Sequence, residues 1–142
     1  MLDNLARLGA SATTLLLEVD FSRSSGQMVL TPNVPEAADP LLPAGPKGVI
    51  AVLTAADRDQ RTLEDPEYGV GLFTRHVITG LSGAADLAPI GNGDNAVDPW
   101  ELYVHTAYRV GLAARRSFGV TQKPSLFRPH TLPVAHLSGI VN

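Results

Sequence analysis
Two short apolar runs, residues 13–19 and 48–54, constrain this chain more than anything else in it. The first is carried by Leu15, Leu16, Leu17 and Val19, the second by Val49, Ile50, Val52 and Leu53. Neither alternates apolar with polar residues, so each suits a parallel strand covered on both faces rather than a half-wetted one. Both runs end in acids and small polar residues. Glu18, Asp20 and Ser22 follow the first, and Thr54, Asp57, Asp59 and Gln60 close the second. Parallel strands deliver their carboxyl ends to one side of a sheet, and open α/β sheets bind ligands in the crevice beyond those ends. The spacing therefore predicts one mouth formed by Glu18, Asp20 and residues 54–60. At this level the same acids are equally compatible with ordinary solvated loop residues.

The remaining elements follow from periodicity and punctuation. Leu2, Leu5 and Leu8, with Gly9 after them, predict a short helix before the first strand. Residues 22–47 carry prolines at 32, 35, 40, 43 and 46 and predict a long, exposed and mobile loop, either functional or a simple insertion. Residues 69–81 place Val70, Phe73, Val77 and Leu81 on one helical stripe with Leu72 and Ile78 beside it. His76 lies one residue off that stripe, which suits a partly buried structural histidine better than a catalytic one. Gly91, Asn92, Gly93 and Asp94 form a turn-rich segment without the alternating acids and closing Glu of a calcium loop, so it reads as a turn feeding the next helix. That helix has a full start signal, with Asp98 at the N-cap, Pro99 at N1 and Glu101 at N3. It is expected to run to Phe118 and end at Gly119, with Tyr103, Ala107, Val110 and Ala114 inward. Pro124 cannot donate to a ladder, so it can sit only before a strand or at a sheet edge. Residues 128–142 have no periodic pattern and read as an irregular tail, where His130 and His136 lack the spacing and acidic partners of a metal pair. No metal or other cofactor is implied.

Composition narrows the chemistry. The 142 residues suffice for one domain with a real core, and 44% hydrophobic against 18% charged residues describes a globular chain. A formal net charge of −3 gives no reason to expect nucleic acid or an anionic membrane as partner. No apolar run reaches the length of a membrane span, and no leader pattern opens the sequence, which favours the cytoplasm. The chain has no cysteine, which excludes disulfides, thiolate metal sites and a cysteine nucleophile of its own.

Five segments, in order, resemble one family. Residues 17–23, with Glu18, Val19, Phe21 and Ser22, are similar to the strand end that caspase-like cysteine peptidases write D-A-C-F-S-G or D-S-C-H-S-G. Residues 54–60 resemble S-G-C-K-D-D-Q or S-A-S-x-x-D-Q, most closely at Asp59 and Gln60. Gly71-Leu72-Phe73-Thr74 with Gly80-Leu81-Ser82-Gly83-Ala84-Ala85-Asp86 resembles G-V-F-T-x-x-L-L-x-G-L-x-G-x-A-D. Glu101-Leu102-Tyr103 repeats an E-L-Y, and Gln122-Lys123-Pro124 a Q-x-P before the last strand. The set spans roughly three quarters of the chain, and it is the order rather than any one motif that is specific.

The resemblance implies an α/β chain with the three-layer α/β/α caspase-like fold in part: residues 1–127 as its C-terminal part, a mainly parallel sheet lacking the N-terminal strands. It puts Asp20 where the family has its nucleophilic cysteine. None of the 19 residues before Asp20 is the histidine that the family places upstream. A thiolate attacks the peptide carbonyl while an imidazole moves protons and backbone N–H groups hold the oxyanion. A carboxylate is a weaker nucleophile toward amides and brings negative charge to where the oxyanion develops. The implied chain is thus a peptidase-family domain without proteolytic activity of its own. Either such a cleft keeps basic-peptide recognition, since metacaspase-like members select Arg or Lys with acids in the first pocket, or it is a leftover cleft with no ligand. Glu18, Thr54, Asp57, Asp59 and Gln60 are the candidate binding residues. A non-enzymatic interaction module and the smaller piece of a two-chain peptidase are the alternatives. An apolar edge beside residues 13–19 would further favour a partner chain or a homodimer.

Overall fold
A computed structural model describes residues 9–18, 49–57, 60–127 and 130–137. The expected helix at residues 1–8, Asp20, the long loop at 22–47 and Asp59 lie outside them. In chain order the elements are β1 (Ala12–Leu17), β2 (Val49–Thr54), β3 (Glu64–Asp65), β4 (Val70–Gly71), α1 (Leu72–Thr79), β5 (Ala96–Val97), α2 (Pro99–Ala113), β6 (Ser125–Phe127) and β7 (Ala135–His136). The protein is mixed α/β.

The two apolar runs do form neighbouring parallel strands, with Ala12 opposite Val49 and Leu17 opposite Thr54. β6 completes the sheet in the order β1-β2-β6, but it runs antiparallel, with Leu126 opposite Leu53. The sheet is therefore mixed rather than mainly parallel. Alternation along the strands puts Leu53, Leu126 and Leu16 on one face. Leu53 is buried with Phe73 and Val77 of α1 and with Leu102 and Val110 of α2, so both helices pack on that face. Burying each such side chain stabilises by about 1.5–3 kcal/mol. The other face carries Leu15, Leu17 and Val52, all half-buried, and the more exposed Phe127. The described elements thus make two layers.

α1 starts later than its stripe suggests. Asp65 turns the chain first: its carbonyl accepts from the N–H groups of Tyr68 and Gly69, and its carboxylate from Glu67 N–H at 3.0 Å. β3 and β4 pair across this turn, so Val70 is a 38% exposed strand residue and not a core residue of the helix. Ile78 also points outward, at 58% exposure. Beyond Thr79 the winding widens to a π-helical turn, Gly80–Ala84. Gly80 lets the two helices approach, because a Cβ there would lie 2.8 Å from Leu102 Cδ1 and 3.1 Å from His105 Cδ2.

α2 begins as its sequence predicts. The Asp98 carboxylate accepts from Glu101 N–H at 2.8 Å, and Glu101 accepts from Asp98 N–H at 3.1 Å. A second π-helical turn, Ala114–Phe118, extends it, and Gly119 closes it in the left-handed region. The buried stripe is rotated from the expected one. Val110 and Ala114 are in it, whereas Tyr103 and Ala107 sit at its margin. Leu102, His105 and Thr106 face inward instead, because α1 packs on that side. Between the helices, the turn at residues 91–95 is gathered by Asp86, whose carboxylate accepts from Asp94 and Asn95 N–H at 3.1 Å each.

The stretch read as an irregular tail supplies β7, which pairs with β5, Ala96 opposite His136. Val134, Ala135 and Leu137 pack against the core. His130 Nε2 lies 3.3 Å from the Thr14 hydroxyl, and its Nδ1 lies 3.1 Å from Leu132 O, so the tail also meets β1. Two-residue strands and single side-chain contacts leave no periodic trace in a sequence.

Candidate functional site
β1 and β2 end together. Ala55 N–H donates to Leu17 O at 2.9 Å, extending the parallel ladder one step beyond Thr54 and placing Glu18 beside the start of residues 55–57. Glu18 is exposed and Asp57 half-buried at this end of the sheet. The Glu18 carboxylate is not loose. It accepts a hydrogen bond from the Thr74 hydroxyl and lies directly over Gly71. A Cβ on Gly71 would fall 1.6 Å from Glu18 Oε1, so only glycine leaves that place open. Gly71 is the N-cap of α1 and has no side chain with which to cap it. An acid at this position is favoured by the partial positive charge of a helix start.

The other expected residues divide. Thr54 is buried at 4% exposure, and its hydroxyl donates to Ala56 O at 3.2 Å. It shapes the strand end from inside. Gln60 is half-buried and its Oε1 accepts from Lys123 N–H at 2.7 Å. Asp57 O in turn accepts from Gln60 N–H at 3.2 Å. Of the expected set, the structure therefore brings Glu18 and Asp57 to one end of the sheet, with Thr54 and Gln60 committed to holding the segment in place.

A residue that sequence reasoning did not assign to the site holds it most firmly. Gln122 is fully buried, donates from Nε2 to Ala55 O at 2.9 Å and accepts from Leu63 N–H at 3.0 Å. With Gln60 reaching back to Lys123, two amide side chains stitch residues 55–63 to residues 122–123. The Gln122-x-Pro124 motif was the available signal, since a buried amide must satisfy both ends of its side chain.

Behind the site, β3 and β4 are tied to α1 by an ion pair between Asp65 and Arg75, whose guanidinium also lies 3.9 Å from the centroid of the Tyr68 ring. Burial alone would raise the Asp65 carboxyl, but the Arg75 hydrogen bond and the N–H groups of Glu67 and Tyr68 together hold it below its usual range. His76 is pushed down to about 4, first by burial and then by the neighbouring charges of Arg75, His105 and Arg109. His105 is lowered for the same reasons, burial and then Arg109. Its Nε2 and the Thr106 hydroxyl are buried with no hydrogen-bond partner among the described residues. Neutral imidazoles are thus built into the helix packing, and neither His76 nor His105 faces the strand-end acids. Among the described residues no helix is long and apolar enough to cross a membrane.

Comparison with protein-family models, with curated proteins and with solved structures returns no match for this chain.

Proposed function
We propose that the chain is the C-terminal part of a caspase-like peptidase-family domain that binds basic peptides at the carboxyl ends of β1 and β2 and does not cleave them. The observation that carries the reading is Glu18: an exposed carboxylate past the end of β1, hydrogen-bonded by Thr74 over Gly71 and beside the Asp57 segment. A carboxylate at this place can pair with a guanidinium or ammonium group, and such a charge-assisted contact is of the stronger kind. The parallel β1–β2 pair and the capped α2 start agree with the ordered motifs. The complete three-layer arrangement, with the second helix layer on the Leu15, Leu17 and Val52 face, belongs to the same proposal. So does pairing of a partner chain or a second copy along β1, which among the described residues pairs with β2 alone.

The test is binding of a fluorescein-labelled peptide ending in Arg, followed by anisotropy at low and high salt, with a peptidase assay alongside. The expected result is salt-sensitive binding weakened about tenfold by Glu18→Gln, with no turnover above the blank. Binding unchanged by Glu18→Gln, or cleavage of the peptide by the unaltered chain, overturns the reading. Asp20→Cys adds a thiol at the family's nucleophile position without a base, and turnover from that variant would show that a base is present after all.

A further inference from the structure
Charge is divided sharply along this chain. All 14 acids precede residue 102, together with six of the 11 Arg and Lys residues, so residues 1–101 carry a formal −8 and residues 102–142 carry +5. The acid-free part includes the second half of α2 and its π-helical extension. At about 100° per residue, Tyr108, Arg109, Leu112, Arg115 and Arg116 fall on one face of that helix. Tyr108 is 60% exposed, the three arginines are exposed and Leu112 is half-buried. None of the three arginines meets a carboxylate among the described residues. The turn after α1 covers the opposite, earlier part of α2 at Leu102 and His105, through Gly80, and no described element covers this face.

Favourable interaction with the helix dipole accounts for arginines in a last turn. It does not account for the absence of any acid over 41 residues, or for a tyrosine and a leucine between the arginines on the solvent side. Tyr and Arg together are the residues that dominate protein interfaces, the ring supplying apolar area and the guanidinium a planar fork for carboxylates. We propose that this face of α2 docks an acidic segment of a partner protein, with Arg109, Arg115 and Arg116 pairing its carboxylates and Tyr108 and Leu112 taking an apolar side chain between them. A protein segment fits better than a nucleic acid. The cationic face spans only about 10 Å along the helix from Arg109 to Arg116, and a long polyanion would meet repulsion from the −8 carried by the rest of the chain. This surface is separate from the Glu18 site and takes a ligand of opposite charge, so either can fail without the other.

The experiment uses the full chain and a fluorescein-labelled peptide, Glu-Glu-Leu-Glu-Trp-Glu-Glu, with Gln in place of every Glu as the control probe. Salt-sensitive binding of the acidic probe and not of the control is expected, weakened at least tenfold by Arg115→Gln with Arg116→Gln and severalfold by Tyr108→Ser. The pair Thr79→Glu with Thr131→Glu makes the same change in net charge at exposed sites off this face, and should alter binding less than twofold. Circular dichroism of each variant checks that the fold is intact. The proposal is overturned if the acidic probe does not bind at low salt, or if both charge-matched pairs weaken binding equally. It is also overturned if a thymidylate oligomer of equal charge binds more tightly than the peptide, which would make the surface a nucleic-acid site. Self-association of the chain that the Arg variants abolish and the acidic probe fails to compete would assign the face to a second copy instead.

Discussion

Helix α2 is capped by its own neighbours, whereas the first turn of helix α1 takes a side-chain contact from a residue 56 positions before the group it meets. Asp98 and Glu101 exchange hydrogen bonds within one turn, and Pro99 supplies the fixed φ between them. Gly71 offers α1 nothing, and the carboxylate that occupies its empty Cβ position comes from the end of β1. A start specified locally depends on a few adjacent residues and stays in place whatever the sheet does. A contact supplied from a strand end links the first turn of α1 with the sheet and the candidate site. The same contrast holds between the Asp86 turn, closed within nine residues, and the Gln122 bridge, which spans 67 positions to Ala55.

The long-range bridge should be the more costly to break. Gln122→Leu keeps the buried volume roughly constant but leaves Ala55 O and Leu63 N–H without their partner. Each buried orphan costs about 1–3 kcal/mol, so a loss of about 3 kcal/mol in urea unfolding is expected. A loss under about 1 kcal/mol would mean that water replaces the amide and that Gln122 does not hold the strand-end segment.

Acid should separate the two helices' contributions by pH. His76 is on α1 and titrates in the folded chain near 4, against 6.5 unfolded, because it is buried near Arg75, His105 and Arg109. Between those values the unfolded chain binds the proton and the folded one does not. Stability is therefore full above about pH 6.5 and falls as pH drops to about 4, by on the order of 2 kcal/mol after discounting for the partial solvent exposure of the residue. His105 adds in the same direction. The Asp65 carboxyl is held below its usual value by Arg75, so its stabilising contribution persists above about 3.8 and is lost only as the pH falls further. Urea unfolding from pH 7.5 to pH 3 checks this, with His76→Gln flattening the upper part of the decline. An unchanged profile in that variant would assign the acid sensitivity elsewhere.

The local cap predicts a smaller effect. Asp98→Ala should cost about 1 kcal/mol, seen as a lower urea midpoint, and leave peptide binding at Glu18 unaltered. Weakened binding would show that the start of α2 reports to the site after all.

Legibility in the sequence follows the same division. The two strands, the α2 start and its end at Gly119 each rest on adjacent residues, and all were readable from runs and caps, whereas the last strand after Pro124 was expected only from the resemblance. The direction of β6, the pairing of β5 with β7 and the inward turn of His105 and Thr106 depend on what lies across the fold. Nothing in their own neighbourhoods announces these. At the candidate site, Glu18 and Asp57 were placed at one end of the sheet by the parallel-strand argument alone. Thr54 and Gln60 were legible as belonging to that segment but not as its internal supports, because the partners that commit them, Ala56 O and Lys123 N–H, are backbone groups of no distinctive sequence. The Asp65 turn that delays α1 is likewise made by carbonyl and carboxylate contacts inside a stretch whose apolar spacing looks helical.

The smallest effect is the most direct test of the long-range contact at α1. Glu18 is exposed, so its contact with Thr74 stabilises the fold by no more than about 0.5–1 kcal/mol. Gly71→Ala puts a methyl group where Glu18 Oε1 now lies, 1.6 Å from it, and the carboxylate, being at the free end of a flexible side chain, must swing away. Each single variant, Glu18→Ala and Gly71→Ala, then removes the same contact. If the two residues act through one contact, the double variant should be no less stable than the worse of the two singles, and all three should lose basic-peptide binding to the same degree. Additive losses in stability, or a Gly71→Ala chain that still binds the Arg-ending peptide as the unaltered one does, would show that Glu18 and Gly71 act independently and that the acid reaches its ligand without the support of the helix start.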